Sequence, residues 1–326
     1  MTENISISAA INGYIETVRL ARSENTARTY ANALDFFKQV LDVRNISPDE
    51  APVDELSEDA LAWTISALKV YAPTTERLYL AALTNFYTYL DAERLADVNL
   101  SRVKQIIKLR ARRPVQRLPQ FPREDIEKVL NSVESYAKYE IKDEKLRLRA
   151  LRDRAFIITL ADTGLRVHEA CELRRGDVDW NEGRAIIIGK GDKQAVIRFS
   201  TRSMRAMKDY LAARQALDGA SGRPLPSLPL FARHDKGAGF KVKPISTATG
   251  RNIVNESVRQ TLGEDAVGNI TPHSFRHYFV TTVLRATGNL KMAQELARHS
   301  NIAVTQRYAH LSDDELDRGY YEIFDK

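Results

Sequence analysis

Residues 111–122, ARRPVQRLPQFP, divide this chain. Three prolines fall within them, each lacking a backbone N–H and holding φ at about −65°. No apolar position there recurs at helical spacing. Such a segment is a semi-rigid extended connection. The pattern before it and the pattern after it must therefore build separate cores. A chain of 326 residues has room for two domains, and 43% hydrophobic residues can furnish both cores. The reading is a mainly α protein with a helical bundle over residues 1–110, a basic linker over 111–122 and an α+β domain over 123–326.

Before the linker the pattern is helical. Ser23 is a helix start, and Tyr30, Leu34, Phe37 and Leu41 then recur at helical spacing. Pro52 breaks the chain. Leu61, Ile65 and Leu68 mark the next apolar face, and Pro73 opens a helix with Leu80, Leu83, Phe86, Tyr87 and Leu90 inward. Residues 99–110 form the last helix. Short helices with short breaks imply a compact bundle.

After the linker the pattern mixes. Residues 126–133 start a helix, and the charged stretch 136–155 extends it or begins another. Three short β-like runs follow, at 178–180, 184–189 and 195–199, joined by turn-forming residues 181–183 and 190–192. They predict a small antiparallel meander. Residues 218–245, rich in Gly and Pro, read as a long mobile or functional loop. Helices resume at Ser246, after Thr271-Pro272, after Asn289 and after Ser300. The tail DDELDRGYYEIF reads as a short amphipathic helix.

The net charge of +6 is moderate, but its distribution is uneven. Residues 99–122 contain no acid, while Arg102, Lys104, Lys108, Arg110, Arg112, Arg113 and Arg117 crowd together. Such a stretch attracts a polyanion by steering and counterion release, so nucleic acid is the expected partner. No run of about 18 apolar residues is present, so no membrane span is expected. The N-terminus, MTENISISAA, lacks the pattern of a signal peptide. The single cysteine, Cys171, suits a reducing cytoplasm and reads as a small core residue rather than a reactive thiol. A cytoplasmic, nucleoid-associated protein is the expectation.

Six residues carry the chemistry: Arg166, Lys190, His273, Arg276, His299 and Tyr308. A phosphoryl-transfer transition state without a metal carries negative charge on its non-bridging oxygens. Guanidinium groups match that geometry with paired hydrogen bonds and stay charged. Arg166 and Arg276 can form such a clamp. Lys190, in a hairpin turn, can bring an ammonium to the leaving oxygen. The Tyr308 phenol, with an ordinary pKa of about 10, needs a histidine to take its proton and nearby cations to lower its pKa. His273 and Arg276, three apart, share a helix face. Glu169 and Glu172 form no evident metal cluster, and no cofactor is expected. That disfavours a metal nuclease.

TGLRVHEACEL resembles the first arginine box of the tyrosine recombinases, the phage-integrase family. IIIGKGDKQAVIRF resembles that family's lysine-bearing hairpin, HSFRHYFVTTVL its His-x-x-Arg box, and ARHSNIAVTQRYAH its histidine-to-tyrosine segment. All four occur in family order. The N-terminal lobe is similar to the family's SAM-like core-binding domain, and the compact length resembles the Xer-type and simple-integrase branch. The resemblance implies that Tyr308 attacks the phosphate to give a 3′-phosphotyrosyl link. Arg166 and Arg276 then bind the non-bridging oxygens, Lys190 is the general acid, His273 the general base and His299 a phosphate hydrogen-bond donor. Glu169 supports the arginine box. The resemblance also implies an inverted-repeat DNA target, a tetramer on two duplexes, and a Holliday junction. A C-terminal helix over about 312–326 would dock on a neighbour through Leu316, Tyr320, Tyr321, Ile323 and Phe324. Chromosome-dimer resolution and mobile-element integration or excision both fit.

The chain departs from the family at Ala297-Arg298, where Leu-Gly is usual, which suggests a differently shaped turn and adds a cation near the site. His168 replaces a small residue, and the charged stretch 136–154 is longer than in compact members. His277 reads as structural, on a different face from Arg276. Two alternatives stand beside recombination: a type IB topoisomerase-like nicking-closing enzyme and a non-catalytic DNA-binding protein.

Overall fold

The computed structural model describes residues 5–112, 122–136, 141–188, 194–235 and 241–299, with 237, 239 and 305. The chain forms two units, Met1–Arg117 and Leu118–Lys326.

The first unit is all helical: α1 (Ile7–Ala21), α2 (Glu24–Val43), α3 (Asp59–Ala67), α4 (Pro73–Ala92) and α5 (Leu100–Arg110). Ser23 caps α2 by accepting the Thr26 amide at 3.3 Å, and Asn99 caps α5 by accepting that of Arg102 at 2.9 Å. The apolar stripes meet as their spacing predicts. Leu34, Phe37 and Leu41 of α2 pack with Leu83, Phe86, Tyr87 and Leu90 of α4 and with Leu61 of α3. Each such side chain contributes about 1.5–3 kcal/mol on burial. One buried charge closes the bundle. Glu76 of α4, 1% exposed, accepts from Lys69 Nζ at 2.8 Å and from Arg112 Nε at 2.5 Å. Burial alone would raise its pKa, but Lys69 and Arg112 outweigh that and hold the carboxyl below its ordinary value.

The second unit contains α6 (Arg123–Tyr136), α7 (Glu144–Thr163), α8 (Val167–Glu172), β1 (Val178–Asp179), β2 (Arg184–Ile188) and β3 (Gln194–Arg198). After these come α9 (Thr201–Ala213), α10 (Gln215–Gly219), α11 (Thr247–Leu262), α12 (Pro272–Thr287) and α13 (Leu290–Ala297). The charged stretch after Tyr136 begins a new helix, capped by Asp143 accepting the Leu146 amide at 3.0 Å. That helix, α7, is the spine of the unit. Phe156, Ile157, Ile158 and Leu160 are buried on successive faces because α6, α9 and α12 all pack on it. Its buried Arg154 is balanced by Glu134 at 3.0 Å and Asp209 at 2.8 Å. Cys171 is buried, and burial pushes its thiol up to about 12, as a core residue requires.

The three strands form an antiparallel meander in the order β1-β2-β3, with Val178 opposite Ala185 and Ile186 opposite Val196. Asp179 Oδ1 accepts the amides of Asn181 and Glu182 at 3.1 and 3.0 Å, and Gly183 turns the chain at φ 61°. Much of the described part of residues 218–245 is packed into the fold, where the composition suggested a long mobile or functional loop. Leu228, Leu230, Phe231, Ala232, Val242 and Ile245 are buried. The fully buried Arg214 guanidinium fastens the segment, donating to the carbonyls of Leu230 and Pro229 at 3.0 and 2.8 Å, with Asp218 as counter-charge at 2.8 Å. Among the described residues no helix is long and apolar enough to cross a membrane.

Candidate active site

The site forms around one glycine. α7 ends at Gly164, whose φ of 59° lies in the left-handed region. A Cβ at this position would stand 2.5 Å from Phe279 Cδ1 of α12. Conformation and space both demand glycine here. The tight turn brings Arg166 to the N-cap of α8 and aims the Gly164 carbonyl at α12.

Arg276 of α12 receives that carbonyl. Its Nη1 donates to Gly164 O and its Nη2 to Ala297 O at the end of α13, and the side chain is 2% exposed. One guanidinium thus joins the ends of two helices. Buried carbonyls need donors, and these two fix the orientation of the guanidinium.

Arg166 is held otherwise. Glu169, one turn on, accepts the Arg166 amide through Oε2 and Arg166 Nη1 through Oε1, both at 2.8 Å. Arg298 Nη2 donates to the same Oε2 at 3.0 Å. Burial would raise the Glu169 pKa, but Arg298 and then Arg166 outweigh it and hold the carboxyl below its ordinary range. Glu169 thus binds Arg166 at two points and Arg298 at a third.

His273 lies one turn before Arg276 on α12, with the entry fixed by Pro272 and by the Thr271 amide donating to Ser274 Oγ at 3.0 Å. Partial desolvation of its ring, then the charges of Arg276 and Arg166, lower its pKa. His299 follows α13. Burial, then Arg276 and Arg166, bring its pKa down to about 4. Both imidazoles are thus neutral near pH 7, able to accept a proton and to donate a hydrogen bond. Two arginines and two histidines have come together from α8, α12 and the end of α13.

Two further neighbours were not assigned to the site from the sequence. Thr305 Oγ1 lies 2.9 Å from His299 Nδ1, which orients that ring. His277 packs its ring on His273 with centroids 4.4 Å apart, one turn along α12. The i, i+4 spacing could have revealed the second neighbour, whereas nothing in the spacing marked Thr305. Arg298, at the Ala297-Arg298 departure, has a specific backbone shape. Arg298 takes φ 57° and ψ 43°, the left-handed shape glycine ordinarily supplies. An arginine therefore stands in a glycine-like backbone shape.

Lys190 and Tyr308 lie outside the described residues, as do Arg113, Arg117 and the C-terminal segment 312–326. β2 ends at Ile188 and β3 begins at Gln194, so Lys190 falls between them in the sequence. Of the basic candidates, Lys104, Lys108 and Arg110 are exposed on α5. Arg102 is paired with Glu58 and Asp59 at 3.3 and 2.8 Å. Arg112 is committed to Glu76 and to the Tyr71 carbonyl, at 2.5 and 2.6 Å, so its charge serves the bundle before any phosphate.

Both units match known protein families. The model of the phage integrase family matches residues 123–315, and that of the phage integrase N-terminal SAM-like domain matches residues 11–114. Tyrosine recombinase XerC of Thermodesulfovibrio yellowstonii is 27% identical over 318 residues, covering 97% of this chain and 95% of the relative. XerC of Staphylococcus saprophyticus is 28% identical over 309 residues, covering 94% and 93%. A crystal structure of XerH site-specific recombinase bound to palindromic difH substrate, a post-cleavage complex, shares the fold. Its TM-score is 0.69 at 20% identity, over 97% of this chain and 84% of that one. The chain belongs to the phage integrase family, the tyrosine recombinases.

Proposed function

We propose that the chain is a Xer-like site-specific recombinase that breaks and rejoins DNA through Tyr308. The Tyr308 oxygen attacks a backbone phosphorus and passes its proton to His273. The bond from phosphorus to the 5′-oxygen breaks, and that oxygen takes a proton from Lys190. The products are a 3′-phosphotyrosyl link and a 5′-hydroxyl. Attack by the 5′-hydroxyl of a partner strand reverses the step and reseals the DNA without an external energy source. Arg166 and Arg276 hold the non-bridging oxygens, and His299 donates a hydrogen bond to one of them. A preorganised donor of this kind is worth about 2.7–4 kcal/mol of barrier.

The observation that carries the reading is the meeting of Arg166, Arg276, His273 and His299 at the Gly164 turn, with both imidazoles held neutral by burial and by the two guanidinium charges. Such a site binds a phosphodiester and can take a proton from a phenol. The finer proposals are an inverted-repeat duplex as target, a tetramer on two duplexes joined through residues 312–326, a Holliday junction as intermediate, and action on the DNA of the cytoplasm. Lys104, Lys108 and Arg110 supply phosphate contacts.

Recombination between two plasmid-borne copies of the recovered cleavage site tests this. Wild type should exchange the flanking segments through an isolable four-way junction, and Tyr308→Phe should yield neither junction nor product. Relaxation of supercoils with no exchange would refute recombination.

A further inference from the structure

Arg298 is an unusual residue to find where it is. Its backbone is left-handed, at φ 57°, which disfavours any side chain beyond glycine, asparagine or aspartate. Its side chain is only 11% exposed. Its Nε and Nη1 are buried and make no hydrogen bond among the described residues. A strained turn and an incompletely satisfied buried cation are both unfavourable, so their joint presence points to a role beyond ending α13.

The charges around it suggest that role. Arg166 Nη1 and Arg298 Nη2 bind different oxygens of the one Glu169 carboxylate, at 2.8 and 3.0 Å. With Glu169 as its sole neighbour, Arg166 would be a neutralised ion pair with little attraction left for a phosphate. Arg298 supplies the second positive charge. Two guanidinium groups then share one carboxylate, and the cluster of Arg166, Glu169 and Arg298 keeps a surplus of one positive charge rather than none. Arg298 Nη2 also approaches the Gly164 carbonyl at 3.4 Å, the same oxygen that receives Arg276. The residue before His299 is thereby tied to the turn before Arg166.

We propose that Arg298 is a positioning residue that offsets Glu169, so that Arg166 keeps its charge for the scissile phosphate, and that latches the His299 turn to the arginine box. The catalytic part of this proposal rests on the recombinase reading; the electrostatic part does not.

The test uses the full chain with Arg298→Gly, Arg298→Lys, Glu169→Gln and the double variant Glu169→Gln/Arg298→Gly. Glycine adopts the left-handed turn without strain, so folding survives, as circular dichroism will show. Histidine titration by NMR without DNA reads the electrostatics. Removing the Arg298 charge should raise the pKa of His273 and His299 by about half a unit or more. The double variant should return both towards wild type. Unchanged histidines in Arg298→Gly would overturn the proposal whether or not the protein is a recombinase.

Adduct formation on a nicked duplex carrying the recovered cleavage site reads the chemistry. Arg298→Gly should bind that duplex normally yet form adduct about tenfold to a hundredfold more slowly. Arg298→Lys should restore most of the rate. Adding Glu169→Gln to Arg298→Gly should also recover part of it. A double variant as slow as or slower than Arg298→Gly would mean that Arg298 touches the phosphate itself, which contradicts a role through Glu169. A wild type that forms no adduct anywhere would instead refute the recombinase reading and leave the histidine titration to decide on Arg298.

Discussion

Gly164→Ala isolates the packing on which the site depends. Alanine at φ 59° costs about 1–2 kcal/mol in backbone strain. Its Cβ would meet Phe279 Cδ1 at 2.5 Å and Cγ at 3.0 Å, and displacing a packed ring adds about 1–3 kcal/mol. The restricted unfolded chain returns about 0.4–1 kcal/mol. The net loss is about 2–4 kcal/mol. In a unit of this size each kcal/mol lowers Tm by about 2–4 °C, so the second unit should melt about 5–15 °C lower. Gly288→Ala is the matched control. It is also left-handed, at φ 62°, and caps α12, but its Cβ would meet nothing within 4 Å. It should lose only about 1 kcal/mol. Differential scanning calorimetry of the two variants separates strain from clash. Adduct formation should fall at least tenfold in Gly164→Ala alone, because the displaced carbonyl is the one that holds Arg276. Equal melting losses in the two variants would refute the claim that Phe279 fixes this turn.

Other perturbations have equally definite outcomes. Glu76→Gln removes the counter-charge of Lys69 and Arg112. Both cations can turn partly to solvent, so the first unit should lose about 1–3 kcal/mol in urea unfolding; no loss would mean the pair is ornamental. Changing Lys104, Lys108 and Arg110 to Ala should reduce the slope of log K against log salt by about 0.9 for each phosphate no longer neutralised, and an unchanged slope would remove α5 from the DNA interface. Acid should destabilise the second unit earlier than its carboxylates predict. His299 and His277 are brought down to about 4, chiefly by burial, and His234 to about 3, by burial and then Arg152. Unfolded histidines take up protons below about pH 6.5 while these folded ones do not. Stability should be flat above about pH 7 and fall as pH drops from about 6.5 towards 4, read from the urea midpoint. A midpoint that rises over that window would contradict the burial of these rings.

Much of the fold was legible because it is local. Ser23, Asn99, Ser246 and Asn289 mark helix starts and do cap them. The 2-residue alternation of the strands leaves Ala185 and Ile187 buried and Ile186 and Ile188 exposed. What stayed hidden depends on long-range pairing. Residues 218–245 looked like loose loop because their anchor, Arg214, lies earlier and bonds to carbonyls, which leave no trace in side-chain pattern. Arg112 has the look of one more phosphate ligand in the sequence, yet Glu76 lies beneath it and takes its charge. In the site, the residue types and their order suggested what gathers. They did not suggest that Gly164 supplies a carbonyl to Arg276, nor that Arg298 would keep the shape of a glycine turn while sharing Glu169 with Arg166.

The central claim is that Tyr308 joins covalently to DNA at a site built around Arg166 and Arg276. The direct measurement is covalent capture: wild type and Tyr308→Phe are incubated with fragmented genomic DNA in EDTA, denatured in detergent, and the protein-bound DNA is sequenced. The account predicts adducts from wild type alone, at one shared inverted-repeat sequence, with Tyr308→Phe still binding that sequence without forming a bond. An adduct from Tyr308→Phe, or none from wild type even on a nicked duplex that blocks religation, would contradict it.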